Sequence, residues 1–136
     1  MLHRHILIAD DDRHLRESLC EVLTDIGWDA TPVGCGQEAI RRLERGQFDL
    51  LLSDVDMPDM TGFELLAWAH RHLGPERSTL QTPGGMARAD FKTVLMSARA
   101  DQFLSAAAVS AGAVTLLPKP VRVSELSALM HTMYPT

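Results

Sequence analysis

The chain has few of the features that mark secreted, disulfide-stapled or membrane-spanning proteins. Its two cysteines, Cys20 and Cys35, form no CxxC pair and make a poor disulfide framework. The longest uninterrupted apolar runs contain four or five residues, whereas a helix needs roughly 20 to cross a bilayer. No signal-peptide pattern precedes the first apolar run. We therefore expect a cytoplasmic protein with two reduced thiols and no membrane association.

Positive charge is also scarce, because 13 Lys and Arg stand against 18 Asp and Glu, giving a formal net charge of −5. This balance argues against direct binding of nucleic acid or of anionic membranes. No carboxylate or cysteine cluster completes a ligand set around any of the six histidines, so we expect no histidine-based metal site. The 46% hydrophobic and 23% charged residues are typical of a globular protein, and 136 residues are enough for one domain.

Short apolar runs alternate five times with segments of helical periodicity. The predicted strands cover residues 6–9, 30–33, 48–53, 93–97 and 114–117, and the predicted helices cover 15–26, 37–45, 62–73, 101–111 and a last helix capped by Ser124. Five β-α units in a row predict an α/β fold with a doubly wound, five-stranded parallel sheet and helices on both faces.

One segment, residues 74–92, breaks this alternation. It contains two prolines and a Gly-Gly pair and shows no sustained periodicity. We expect a long loop, either mobile or used to dock a partner, inside a single domain that spans residues 1–136.

Polar residues follow four of the five predicted strands. Those that share this placement are Asp10, Asp11 and Asp12 after the first strand, Asp54 and Asp56 after the third, Ser97 at the end of the fourth, and Lys119 after the fifth. Ligands bind doubly wound sheets outside the carboxyl ends of the strands. We therefore expect these side chains to converge on one edge, with Asp12 capping the first helix and Asp59 lying in a turn.

This combination of side chains has a specific chemistry. Clustered carboxylates raise each other's pKa unless a cation neutralises them. Oxygen ligands without His or Cys suit Mg²⁺, which also accepts phosphate oxygens. A lysine pairs with phosphate, and a serine hydroxyl can donate to it. These carboxylates, the serine and the lysine together indicate a carboxylate that takes up a phosphoryl group beside Mg²⁺ and Lys119. Lys119 is one of only two lysines in the chain.

Four segments together resemble the receiver domains of two-component response regulators: ILIADDD at 6–12, LSDVDMPDMTG at 52–62, VLMSA at 94–98 and LPKP at 117–120. The resemblance covers essentially the whole chain. It implies a flavodoxin-like fold with strand order 2-1-3-4-5 and five helices. It also implies a signalling phospho-acceptor rather than an enzyme. Such a domain phosphorylates itself and slowly returns the phosphate to water.

By position, the resemblance implies roles for individual residues. Asp54 would be the phospho-acceptor, Ser97 would contact the phosphoryl group and Lys119 would pair with it. The donor would be a phosphohistidine on a sensor histidine kinase or on a phosphotransfer protein.

The same resemblance implies a Mg²⁺ site. Asp11 would be a direct ligand and Asp10 would act mainly through water. Asp54 and the backbone carbonyl of Asp56 would complete the protein's ligands.

The chain departs from the family pattern in three ways, of which the first is a substitution in a turn that should matter little. Thr61-Gly62 replaces the usual Asp-Gly, the connection before the fourth strand is long, and Leu116 stands where the family often has an aromatic ring. Only three residues follow the last helix, so we expect no output domain. The signal would be recognised by a downstream protein or by a second copy of this chain. That partner would dock on the face made by the helix at 101–111, the fifth strand and the last helix.

Two local contacts are also expected. The family resemblance and the sharp turn after the fifth strand favour a cis peptide between Lys119 and Pro120. Asp56 and Arg99 follow neighbouring strand ends, and their opposite charges should pair across the entrance to the site.

Two other functions remain open. Asp54-Val55-Asp56 also resembles the DxD motif of haloacid-dehalogenase-type phosphatases, although there the acidic pair comes late in the chain, and this chain has no room for a substrate-selecting cap. A pseudo-receiver that binds partners without phosphorylation is the second alternative. The complete set of Asp54, Ser97 and Lys119 argues against it.

Overall fold

The computed structural model describes residues 4–73 and 91–135, in which strands and helices alternate along the chain. The strands are β1 (His5–Ala9), β2 (Asp29–Val33), β3 (Leu50–Asp54), β4 (Lys92–Ser97) and β5 (Leu116–Pro118). The helices are α1 (Arg13–Asp25), α2 (Gly36–Arg45), α3 (Gly62–Leu73), α4 (Gln102–Ser110) and α5 (Val123–Met133). All strand pairs are parallel, in the order β2-β1-β3-β4-β5. This confirms the predicted fold class.

The two central strands are apolar without interruption because both of their faces are covered. Ile6 to Ala9 and Leu50 to Leu52 are fully buried. The even-numbered side chains of these runs pack with residues of α1 and α5, and the odd-numbered ones pack with residues of α2 and α3. A third cluster joins α3, β4 and α4 through Leu66, Leu95 and Ala108. The helices therefore lie on both faces, and the carboxyl ends of the strands stay accessible at one edge.

Several element boundaries differ from the prediction. The third strand begins at Leu50 rather than at residue 48, because the Asp49 carboxylate, at 2.8 Å, accepts the His5 N–H that a strand carbonyl would otherwise bind. The fifth strand begins at Leu116 rather than at 114, since Val114 lies partly exposed ahead of the paired residues. The predicted Ser124 cap is wrong: α5 begins at Val123, and Arg122 occupies the cap position without a side-chain hydrogen bond.

Asp12 caps α1 as predicted, because its carboxylate accepts the Leu15 N–H at 3.2 Å. Most of the predicted loop at 74–92 lies outside the described residues, but Lys92 belongs to β4. Within the described ranges, none of the helices is long and apolar enough to cross a membrane.

Gly62 allows α3 to start directly beside the end of β3. A Cβ atom at this position would meet the carbonyl oxygen of Asp54 and lie 3.1 Å from Leu95 Cδ2. The Gly62 N–H also donates to the Val55 carbonyl at 2.7 Å. The absence of a side chain therefore fixes how closely the helix approaches the acidic end of the strand.

We predict that Gly62→Ala lowers the free energy of unfolding by about 2 kcal/mol, because overpacking against backbone costs roughly 1–3 kcal/mol. Urea denaturation measures this loss. Gly27→Ala is the control: Gly27 has φ of 97°, and a Cβ atom there would have no neighbour within 4 Å, so only the backbone strain of about 1 kcal/mol applies. Equal losses in the two variants would contradict the close-approach explanation.

Candidate functional site

The predicted polar residues do meet at the carboxyl edge of the sheet. Asp10 follows β1, Asp54 ends β3, Ser97 ends β4 and Lys119 follows β5. Asp10 and Ser97 are fully buried and Asp54 is 6% exposed. Polar groups at such depth are costly unless they are paired. Their partners therefore define the site.

Lys119 lies between two of the carboxylates. Its Nζ is 2.8 Å from Asp10 Oδ2 and 3.0 Å from Asp54 Oδ2. The Lys119 N–H donates to the Ser97 carbonyl at 2.9 Å, which ties the residue to the end of β4. The peptide bond from Lys119 to Pro120 is cis, as predicted.

Three carboxylates share this edge with one ammonium group. Oxygens of Asp10, Asp11 and Asp54 lie within 4.8 Å of one another, and Asp11 is exposed. The other Asp10 oxygen, Oδ1, accepts the Asp12 N–H at 2.8 Å. An excess of negative charge with oxygen ligands alone fits a hard divalent cation such as Mg²⁺. The three carboxylates can thus hold a metal ion.

Burial and charge act in opposite directions on the titration of this cluster. Burial raises the pKa of Asp54, the contacts with Lys119 lower it, and the charge of Asp10 raises it; the net direction is upward. Burial alone would lower the pKa of Lys119, but its contacts with Asp10 and Asp54 outweigh burial and raise it. Lys119 therefore stays charged at neutral pH and partly offsets the carboxylates.

The remaining predicted residues surround this cluster. The Ser97 hydroxyl oxygen accepts the Arg99 N–H at 2.9 Å, which leaves the hydroxyl proton free to be donated. The Asp56 N–H donates to Asp54 Oδ1 at 3.3 Å. At the entrance, Arg99 Nη2 lies 3.2 Å from Asp56 Oδ2, which confirms the predicted pair. Both side chains are mostly exposed, so the pair stabilises the fold by at most about 1 kcal/mol.

Two residues near the site play parts that the sequence does not reveal. Arg16, one turn into α1, donates to the carbonyls of Asp10 at 3.1 Å and Asp11 at 3.4 Å, so it holds the acidic loop in place. Asp59 is predicted only as a turn residue, but its carboxylate binds the N-terminus of α2. The available signal was the absence of a capping oxygen at Cys35, just before α2.

Comparisons with known proteins agree with this geometry. The family model described as response regulator receiver domain matches residues 6–131. The DNA-binding transcriptional regulator NtrC of Azospirillum brasilense is 31% identical over 126 residues, which are 93% of this chain and 23% of that protein. A response regulator receiver protein of an Anaeromyxobacter species is 36% identical over 123 residues, 90% of this chain and 45% of that protein. The chain thus spans less than half the length of these curated relatives.

Among solved structures, a CheY-like response regulator receiver domain protein from Methanospirillum hungatei has a TM-score of 0.77 and 28% identity. The match covers 97% of this chain and 94% of that one. The similarity extends over the full sheet and its helices, because nearly the whole of both chains is aligned.

Replacing Lys119 with Met should raise the pKa of Asp54 further, because the ammonium that lowers it is lost while the repulsion from Asp10 stays. A pH titration of the Asp54 carboxyl carbon by NMR measures the change. Lys92→Met is the matched control, since Lys92, the chain's other lysine, begins β4 at the opposite edge of the sheet. An unchanged Asp54 titration in Lys119→Met would show that the ion pair does not govern the site.

Proposed function

The chain belongs to the receiver domain family of two-component response regulators, and we propose that it signals by taking a phosphoryl group onto Asp54 from a phosphohistidine. The observation that carries this proposal is the contact of the Asp54 carboxylate with the Lys119 ammonium at 3.0 Å, beside the carboxylates of Asp10 and Asp11. One nucleophilic carboxylate, one cation and two further oxygen ligands are the groups that phosphoryl transfer to aspartate requires.

In the proposed step, an Asp54 oxygen attacks the phosphorus atom while the bond from phosphorus to the donor's imidazole nitrogen breaks. The electron pair of that bond leaves with the imidazole. Asp54 must be ionised to attack, and Lys119 favours this form. When bound, Mg²⁺ offsets the negative charge of the phosphoryl oxygens. Asp10, Asp11, Asp54 and the Asp56 carbonyl would hold it.

Two side chains would receive the transferred group. Lys119 Nζ lies 3.0 Å from Asp54 Oδ2, so a small shift brings it to a phosphoryl oxygen. The Ser97 hydroxyl can donate a hydrogen bond to a second oxygen, because its own oxygen already accepts the Arg99 N–H. Ser97 ends β4, the neighbour of β3, and Lys119 follows β5, the next strand along, so both approach the acceptor from one side.

We predict that incubation with phosphoramidate and Mg²⁺ adds one phosphate to the chain and that Asp54→Asn abolishes the adduct. Intact-mass spectrometry measures this. Asp25→Asn, at the far end of α1, is the control and should be phosphorylated as the wild type is. A wild-type rate of phosphorylation in Asp54→Asn would contradict the assignment.

Incubation with other phosphate compounds separates the alternatives. Steady turnover of a free phosphate monoester would favour the phosphatase of the haloacid-dehalogenase type. A wild-type chain that gains no phosphate from any small donor or phosphohistidine protein would favour the phosphorylation-independent binding module.

The proposed partners are a sensor histidine kinase or a phosphotransfer protein upstream, and a downstream protein or a second copy of the chain. We propose that the downstream contact uses α4, β5 and α5. In α4 only Ala108 is buried, while Phe103 is 90% exposed and Val109 is 57% exposed. An apolar helix with so little burial can move at modest cost. Leu116, which is buried, offers no ring to reorient, so the signal would travel as a backbone shift after Ser97.

Binding of beryllofluoride, a phosphate mimic, with Mg²⁺ should change the amide chemical shifts of α4 as well as those of the carboxyl edge. Coupling of about 1–3 kcal/mol between two such sites is typical and is enough to alter partner affinity severalfold or more. The amides of β2, at the far edge of the sheet, serve as the internal control. Changes confined to the residues around Asp54, with α4 unaffected, would contradict this route.

A further inference from the structure

We propose that Asp59 is a positioning residue for the phosphorylation site: it fastens the loop after β3 to the N-terminus of α2 and so holds the Asp56 backbone ready for Mg²⁺. The inference rests on the proposed function, since it assumes that Mg²⁺ binds beside Asp54. It assigns a part in metal binding to a residue that is not among the proposed ligands.

The first observation is that α2 has no cap of its own. The first backbone N–H groups of a helix need acceptors, which a Ser, Thr, Asp or Asn in the cap position usually supplies. Here Cys35 occupies that position with extended φ and ψ of −158° and 168°, and its side chain caps nothing. Glu38 does not supply these acceptors, because its carboxylate accepts the N–H of Gly34, which lies ahead of the helix, at 3.0 Å.

Asp59 supplies the missing acceptors from a distant part of the sequence. Its Oδ1 accepts the Gly36 N–H at 2.9 Å and its Oδ2 accepts the Gln37 N–H at 2.8 Å. These hydrogen bonds lower the pKa of Asp59, with the Gly36 N–H the largest cause, so the carboxylate stays ionised beside the helix terminus. Both oxygens of Asp59 are therefore engaged with α2.

The second observation is that packing reinforces this link. A Cβ atom at Gly36 would collide with the Met60 side chain, so Met60 lies directly on the first residue of α2. The same loop is closed at its base by the bridge between Asp56 and Thr61. Two adjacent loop residues, Asp59 and Met60, thus contact α2, while the loop's ends are fixed to each other.

The third observation connects the loop to the acceptor. The Asp56 N–H donates to Asp54 Oδ1 at 3.3 Å, so the start of the loop already contacts the reacting carboxylate. Only two residues separate Asp56 from Asp59. If Asp59 is released, the loop gains conformational freedom that Mg²⁺ must remove when it binds the Asp56 carbonyl. The affinity for Mg²⁺ then falls although every ligand is still present.

The test compares Mg²⁺ binding with helix stability in three variants of the whole chain. Asp59→Ala removes the link. Asp59→Ala combined with Cys35→Ser restores a cap to α2 from the usual position without restoring the link. Gly27→Ala is the control for lost stability, because it strains the backbone after α1, where Gly27 has φ of 97° and an added Cβ atom would have no neighbour within 4 Å. Calorimetric titration with MgCl₂ and urea denaturation are measured for each.

We expect Asp59→Ala to bind Mg²⁺ about fivefold more weakly or worse, the lower end of typical coupling between linked sites. The double variant should regain stability against urea and keep the weak Mg²⁺ binding. Gly27→Ala should lose stability and bind Mg²⁺ like the wild type. In the wild type, Mg²⁺ should also slow hydrogen exchange of the Gly36 and Gln37 amides, and this effect should vanish in Asp59→Ala.

Other outcomes overturn the inference. Mg²⁺ affinity that recovers together with stability in the double variant would show that Asp59 is only a helix cap. Unchanged Mg²⁺ affinity in Asp59→Ala would do the same. A wild-type chain that binds no Mg²⁺ would refute the proposed metal site itself, so the wild-type titration distinguishes failure of the proposed function from failure of this inference.

Discussion

The structure depends on one electrostatic arrangement, the ammonium of Lys119 held between the carboxylates of Asp10 and Asp54. Two buried carboxylates at neighbouring strand ends would repel each other strongly without it. The surrounding backbone serves this contact: the Lys119 N–H is bound to Ser97, and α3 starts close behind Asp54 because residue 62 is a glycine. One lysine for three acidic groups still leaves the edge negatively charged. The fold therefore tolerates an excess of negative charge that a bound cation would relieve.

The centre of the sheet and the residues at its carboxyl edge could be predicted from the sequence. A strand that is buried on both faces must be apolar throughout, so runs such as Ile6 to Ala9 identify the centre of the sheet without reference to any neighbour. Parallel strands all end at the same edge of the sheet. The residues at the ends of these strands, such as Asp10, Asp54 and Lys119, must therefore converge. The cap at Asp12 was also predictable, because an N-cap bonds within its own first turn.

The features that escaped prediction depend on contacts between distant segments. Nothing in the residues around Asp59 indicates that its carboxylate meets the N-terminus of α2, since its partners are 22 and 23 positions away. The start of β3 was misplaced for a similar reason, because the Asp49 side chain accepts the N–H of His5, which is 44 positions away. Arg16 is an exception, because its partners lie only five and six positions earlier; the helical pattern does not show that its side chain reaches back past the start of α1 to two loop carbonyls.

The reach of Asp59 to α2 also bears on how the chain folds. A helix of 10 residues is marginal by itself in water, and α2 also lacks a local cap. Its first turn gains acceptors only after β3 has joined the sheet and the five residues from Val55 to Asp59 have been made. During synthesis from the N-terminus, α2 would thus remain frayed while β1, α1 and β2 are already present. Its completion is delayed until the strand that carries Asp54 is in place, so this strand end and the helix reach their final form in the same folding event.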